Sequence, residues 1–267
     1  MFYSDDLGHP DHAEPSIDKT DYAFGQPANR TDNLRCCQGD SERECLGFSE
    51  FVNLSNTSLV SSPRLSASGQ NVFVVWEEGK GGKSNIIYKH SNDSGATFGP
   101  AVSISSDSIK GIIANDAIQP DVSSFANNVY VVWKSQQSGI QLKHSNDSGT
   151  TFGPPITLTN NNTNISDLKL AASEDNVYVV WKSDGFSFQK FSNHQASFDK
   201  QVNFDIFTGR NINLWASNNI DSAAIGDRLL SVWIQPALLS SEIDSQYFNI
   251  YYAGFDTKTA LSDSYTK

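Results

Sequence analysis

Four times along the chain a nearly unbroken apolar run closes on a tryptophan: NVFVVW (71–76), NVYVVW (128–133), NVYVVW (176–181) and a worn copy, RLLSVW (228–233). Runs of this kind, rich in Val, Phe and Tyr, suit strands covered on both faces; a strand with one wet face would alternate. Trp76, Trp133, Trp181 and Trp233 stand 57, 48 and 52 residues apart. That period is near the length of a four-stranded propeller blade, in which neighbouring blades cover both faces of each sheet.

Alignment on the tryptophans predicts four strands per repeat. The first begins at Pro63, Pro120, Leu168 and Ile220, and the second carries the tryptophan. The third is NIIYKH (85–90), GIQLKH (139–144), SFQKF (187–191) and FNIYY (248–252); the fourth is AVSIS (101–105), PITLT (155–159) and QVNFD (201–205). The last repeat has no fourth strand of its own. Upstream, FSEFVNLSN (48–56) matches FGPAVSISS (98–106) and FGPPITLTN (152–160), with a Phe, three spacers and alternating apolar residues. Residues 48–56 are therefore expected to complete the blade of Trp233, since closure removes an exposed hydrogen-bonding edge. The other reading is an arc cut from a longer propeller. The fold class is thus all-β: a β-propeller of four-stranded antiparallel blades, about four repeats over 48–267, behind an irregular segment, 1–47.

Between third and fourth strands lie SNDSGATF (91–98) and SNDSGTTF (145–152). Asp93 and Asp147 can accept backbone N–H groups of their own turn, Gly95 and Gly149 can take positive φ, and Phe98 and Phe152 can turn back into the core. Ser91, Thr97, Ser145 and Thr151 complete the motif. It resembles the Asp-box, or bacterial neuraminidase repeat, of sialidase-like propellers. The third copy, SNHQASF (192–198), lacks the Asp and one residue. The resemblance implies that these boxes are structural and lie away from the substrate face. His90 and His144 share one repeat position just before the box, which repetition explains better than metal ligation. Lys89, Lys143 and Lys190 are read as one solvated strand position.

The resemblance also implies that the innermost strands line a central channel. Twelve residues before each tryptophan stand Arg64, Asp121, Lys169 and Asp221. Their signs alternate, so neighbours can pair where lone charges would be costly; the same four are the candidate contacts for a polar or charged ligand. A sialidase needs three arginines, a tyrosine nucleophile backed by glutamate, and an acid-base carboxyl. Only Arg64 falls at a suitable position. Tyr88, Tyr130, Tyr178, Tyr251 and Tyr252 sit inside repeats, as strand residues do. No phosphate-cradling glycine loop, metal-binding HExxH or nucleophile elbow is present.

Composition narrows the function classes. The chain has 267 residues and a formal charge of −11, and its basic residues form no stripe, so nucleic acid is excluded as a partner. No apolar run reaches the ~18 residues of a membrane helix, and the first thirty residues hold no segment of the signal-peptide kind, so membrane insertion is not expected. Residues 1–47 hold ten acids, four bases and all three cysteines, Cys36, Cys37 and Cys45. These allow one disulfide and leave one thiol over. With His9 and His12 they lack familiar zinc spacing, so no metal or cofactor is expected. Seven Asn-x-Ser/Thr sites, at Asn29, Asn53, Asn56, Asn92, Asn146, Asn161 and Asn164, and the acidic balance lean toward an extracellular or cell-surface setting. The sequence thus reads as a non-catalytic binding or scaffolding module, its partner a glycan or another surface protein. The alternative is a divergent sialidase-like glycoside hydrolase.

Overall fold

The computed structural model describes residues 51–80, 83–105, 117–135, 138–159, 165–174, 176–183, 186–192, 199, 201–204, 220–239 and 242–256. From Val52 onward they belong to one compact unit. They form four antiparallel sheets in chain order. Blade 1 holds β1 (Val60–Ser68), β2 (Asn71–Lys80), β3 (Lys83–Ser91) and β4 (Val102–Ser103). Blade 2 holds β5 (Ala117–Phe125), β6 (Asn128–Ser135), β7 (Gly139–Ser145) and β8 (Ile156–Thr157). Blade 3 holds β9 (Ser166–Ala172), β10 (Asn176–Lys182), β11 (Phe186–Ser192) and β12 (Val202–Phe204). Blade 4 has three strands, β13 (Ile220–Ile225), β14 (Arg228–Leu239) and β15 (Glu242–Asp256). The fold is the all-β propeller that the tryptophan repeat predicts.

Strand pleat explains why each tryptophan strand is apolar throughout, because alternate residues serve two different interfaces. Val129, Val131 and Trp133 of β6 pack back onto Phe73, Val75 and Tyr88 of blade 1. The residues between them, Tyr130 and Val132, pack forward onto Val177, Val179 and Trp181. Tyr178 and Val180 in turn face Leu229 and Trp233 of blade 4. Each blade therefore offers a tryptophan face to its predecessor and a Tyr/Val face to its successor. Burying one such side chain stabilises by roughly 1.5–3 kcal/mol, so the three interfaces dominate the fold.

The structure departs from expectation at the last blade. Residues 51–59 form no strand before β1, and β15 is the outer strand of its sheet. Asn53 instead folds this segment into a turn, its Oδ1 accepting the N–H groups of Ser55 at 3.1 Å and Asn56 at 3.2 Å. Short polar side chains compete with a ladder in this way. Residues 48–50 of the proposed closing strand, and the segment 1–47 with Cys36, Cys37 and Cys45, lie outside the described residues.

Candidate functional site

The four innermost strands, β1, β5, β9 and β13, run in order around one cavity of 410 Å³ lined by Ser62, Arg64, Gln119, Pro120, Asp167, Leu168, Lys169, Ile220 and Asp221. Three of the four predicted channel residues, Arg64, Lys169 and Asp221, reach it. Asp121 does not: it is buried behind the lining. Its Oδ2 accepts the Leu170 N–H of the next blade at 2.7 Å, and its Oδ1 accepts the Val122 N–H at 3.0 Å. Arg64 Nε stands 3.9 Å from Oδ1, the neighbour pairing expected from the alternating signs. Burial pushes the Asp121 carboxyl above its ordinary range, against the opposing pull of the two N–H groups, Lys169 and Arg64. Adjacent inner strands are not joined by a ladder, so side chains do the joining. Ser123 Oγ accepts the Ala172 N–H at 3.0 Å, and the Ser66 and Ser124 hydroxyls meet at 2.7 Å.

The residues that give the cavity its floor were not singled out from sequence. Ser62, Gln119 and Asp167 occupy one repeat position, two before the channel residue, and all are left-handed, with φ of 52°, 54° and 51°. In β1 and β5 the residue sits where the register slips against the tryptophan strand, between Ser61 and Arg64 and between Ile118 and Asp121. Positive φ is costly outside glycine, and a bulge re-aims the side chains that follow it. The strain turns residues that would otherwise lie in the sheet toward the cavity. The only trace in the sequence is a polar residue at this place in each of the three repeats.

The two turns have the same hydrogen bonds. Ser91 and Ser145 donate to Asp93 and Asp147 at 2.7 and 2.6 Å, and the Gly95 and Gly149 N–H groups donate to those serine hydroxyls at 2.9 Å. Thr97 and Thr151 each donate twice to the carboxylate, N–H at 2.9 Å and hydroxyl at 2.6 Å. These bonds hold both carboxyls down to about 2, led by the Thr97 hydroxyl at Asp93 and the Ser145 hydroxyl at Asp147. Gly95 and Gly149 have φ of 87° and 79°. Phe152 packs edge-on against Tyr88, and Phe98 is half-buried. No cavity residue comes from either turn.

His90 and His144 pair with Asn71 and Asn128 at 3.3 and 2.9 Å and stack on Phe73 and Tyr130, a repeated packing arrangement. Lys190 is in register with them, opposite Tyr178, whereas Lys89 and Lys143 lie opposite Val74 and Val131. The three lysines are therefore not one position. Nor is the position solvated: Lys143 and Lys190 are buried, the latter 3.3 Å from Asp227. Among the described residues no cluster of His, Cys, Asp and Glu could hold a metal ion.

No family profile matches the chain, and no curated protein matches its sequence. Solved structures do match its fold. The endosialidase of phage phi92 superposes with a TM-score of 0.50 at 12% identity, over 74% of this chain and 36% of that one. The GH93 α-L-arabinofuranosidase of Fusarium graminearum, solved with arabinobiose, gives 0.50 at 14% identity, over 73% of this chain and 62% of that one. The chain thus spans about a third and about three-fifths of these two proteins, and shares the β-propeller fold of glycoside hydrolases.

Proposed function

We propose that the protein acts on glycans through the inner-strand cavity, as a divergent propeller glycoside hydrolase whose substrate is a neutral sugar. The observation that carries this reading is the balance of the cavity: two cations, Arg64 and Lys169, and two carboxylates, Asp167 and Asp221, border one space of 410 Å³. That volume is in the range of small-ligand sites. Zero net charge favours a neutral polyhydroxyl ligand, for which the cations donate and the carboxylates accept hydrogen bonds. A carboxyl pair is also what glycoside cleavage uses: one protonates the leaving oxygen while the other attacks or activates water. Asp167 and Asp221 take these roles. Asp121 does not, because both its oxygens are engaged by backbone N–H groups. The two fold matches are both named as glycoside-cleaving enzymes, which supports the substrate class.

A sialoside does not fit, since one arginine cannot supply the convergent guanidinium groups that hold its carboxylate. The turn motif supports kinship with Asp-box propellers. The exposure of Asn53, Asn56, Asn92 and Asn146 supports an extracellular or cell-surface setting. A non-catalytic glycan-binding module is the second reading, favoured by the commitment of Asp121 to structure.

The test is a panel of neutral aryl pyranosides and furanosides between about pH 4 and 8, with Asp167→Asn and Asp221→Asn as variants. Turnover lost by about 100-fold or more in either variant, with the melting temperature unchanged, is expected. Binding without turnover selects the module. Absence of both overturns the glycan reading.

A further inference from the structure

The polar groups that border the inner-strand cavity do not satisfy one another. Arg64 Nη1 donates to the Pro63 carbonyl at 3.0 Å, and its Nε stands 3.9 Å from Asp121 behind the lining. Asp167 Oδ2 accepts the Ser166 hydroxyl at 3.3 Å, and Asp221 Oδ1 accepts the Ser222 N–H at 3.0 Å. Each of these three is anchored by a chain neighbour and keeps polar atoms to spare. Gln119 and Lys169 differ. Both are half-buried, and among the described residues neither makes a hydrogen bond or an ion pair. Lys169 acts on Asp121 only through its charge. Gln119 Oε1 is shut off from solvent with no partner, which leaves the N–H groups as the part of its carboxamide open to a ligand. Polar groups withdrawn from water are nearly always bonded, and an unpaired one weakens the fold. Gln119 bears a second cost, a left-handed backbone with φ of 54°. Strain and an orphaned carbonyl at one residue of β5, with an unpaired ammonium on β9 of the next blade, mark a place kept for a group that the chain itself does not supply.

We infer, resting on the glycan reading above, that Gln119 and Lys169 seat one sugar unit by its oxygens and hold it against Asp167 and Asp221. All four residues line the same cavity. Lys169 has only donors to offer, and Gln119, with Oε1 enclosed, offers its N–H groups. Asp167, two residues before Lys169 on β9, and Asp221, on β13, accept when ionised. A hydroxyl meets both demands at once, because it accepts from the ammonium and gives its own hydrogen to a carboxylate. An anion meets only the first demand, and an apolar ligand meets neither. The oxygen held by Gln119 needs no hydrogen of its own, so a ring or linkage oxygen serves there as well as a hydroxyl. Neither residue exchanges a proton with the bond being cleaved. Their contribution is to binding, and the chemistry stays with the two carboxyls.

Calorimetric titration of the full chain with 4-nitrophenyl pyranosides and furanosides of neutral pentoses and hexoses tests this, beside a thermal melt of each variant. Gln119→Met and Lys169→Met keep a long side chain and remove the donors. Gln119→Met should weaken the best-bound glycoside by about 3- to 10-fold and Lys169→Met by about 10- to 100-fold, the ranges for losing a neutral and a charged hydrogen bond. Lys169→Arg keeps donors and charge and should restore most of the second loss. Where the glycoside is also cleaved, the loss should fall on KM, with kcat kept within about 3-fold. Neither Met variant should melt more than about 3 °C below wild type, because neither side chain is bonded to the fold. Binding that both Met variants leave within about 2-fold overturns the inference alone, with the carboxylate roles standing. So does a melting temperature that falls in step with binding, which would assign the two side chains to the fold. Failure of the wild type to bind any of these glycosides overturns the glycan reading, and this inference with it.

Discussion

Replacing Gly149 and Gly95 with alanine separates two costs that the twin turns otherwise combine. Both glycines are left-handed, so each substitution incurs a conformational penalty of roughly 1–2 kcal/mol. At Gly95 that is all, because an added methyl would meet only Val72 Cγ2, at 3.9 Å. At Gly149 it would overlap the Tyr88 hydroxyl and stand 3.0 Å from Phe73 Cε1. Neither ring can retreat: Phe73 and Tyr88 are core residues, and the Tyr88 hydroxyl donates to the Gly149 carbonyl at 3.0 Å. Overpacking of this kind adds roughly 1–3 kcal/mol. Gly149→Ala should therefore cost about 2–5 kcal/mol in urea unfolding followed by tryptophan fluorescence, against about 1–2 for Gly95→Ala. In the Tyr88→Phe background the Gly149→Ala cost should fall by about 1 kcal/mol, since the two sites are coupled by contact. Equal costs at Gly95 and Gly149, or strict additivity with Tyr88→Phe, would refute the packing argument.

Three further outcomes follow from the site and the turns. Asp121→Ala should cost about 2–5 kcal/mol, because it leaves two buried N–H groups unsatisfied; Arg64→Ala should cost under about 1, its 3.9 Å pair being partly exposed. A larger loss at Arg64 would show that the ion pair, not the backbone bonds, holds Asp121. The carboxyls of Asp93 and Asp147, lowered to about 2 in the fold, contribute stability that is present above the unfolded value near 4 and lost as pH falls toward about 2. The melting-temperature gap between wild type and Asp147→Asn should therefore close over that window, and a gap that persists at pH about 2 contradicts the assignment. An activated sialoside should not be turned over between about pH 4 and 8 even if a neutral glycoside is; sialoside hydrolysis abolished by Arg64→Ala would reverse the substrate assignment.

Much of the fold could be read from the sequence because one strand per blade does two jobs. The tryptophan strand is apolar at every position only because both its faces are covered, and that requirement repeats with the blade. Turn chemistry was equally plain, since Asp, Gly and Thr at fixed spacing leave few alternatives to the bonds seen at Asp93 and Asp147. The cavity was only partly visible. Counting back from tryptophan found Arg64, Lys169 and Asp221, but treated the inner strand as regular. The left-handed residues at Ser62, Gln119 and Asp167 break that regularity. Serine and glutamine there have no local preference for such a conformation, unlike aspartate, so the repeat position does not announce it in sequence. Asp121 is drawn away from the cavity that its repeat equivalents line by the Leu170 and Val122 N–H groups that its carboxylate accepts. The lysine misalignment lies in the pairing with the tryptophan strand: Lys190 comes three residues after the partner of its tryptophan, Ser187, whereas Lys89 and Lys143 come two after Ile87 and Gln141.

The fourth repeat keeps the two-faced pattern although no described strand packs on its outer face. In RLLSVW, Leu229, Ser231 and Trp233 face blade 3 and are buried. Leu230, Val232 and then Ile234 fall on the opposite face, in the places where Tyr130 and Val132, or Tyr178 and Val180, meet a following blade. A strand that ended the structure would gain from polar residues there, as edge blades in water do. Instead the sequence keeps the two-faced pattern, Val232 stays exposed, and β15 continues it with Ile250 and Tyr252. The worn copy has no recognisable box, but it has kept the face that the other blades turn toward a successor.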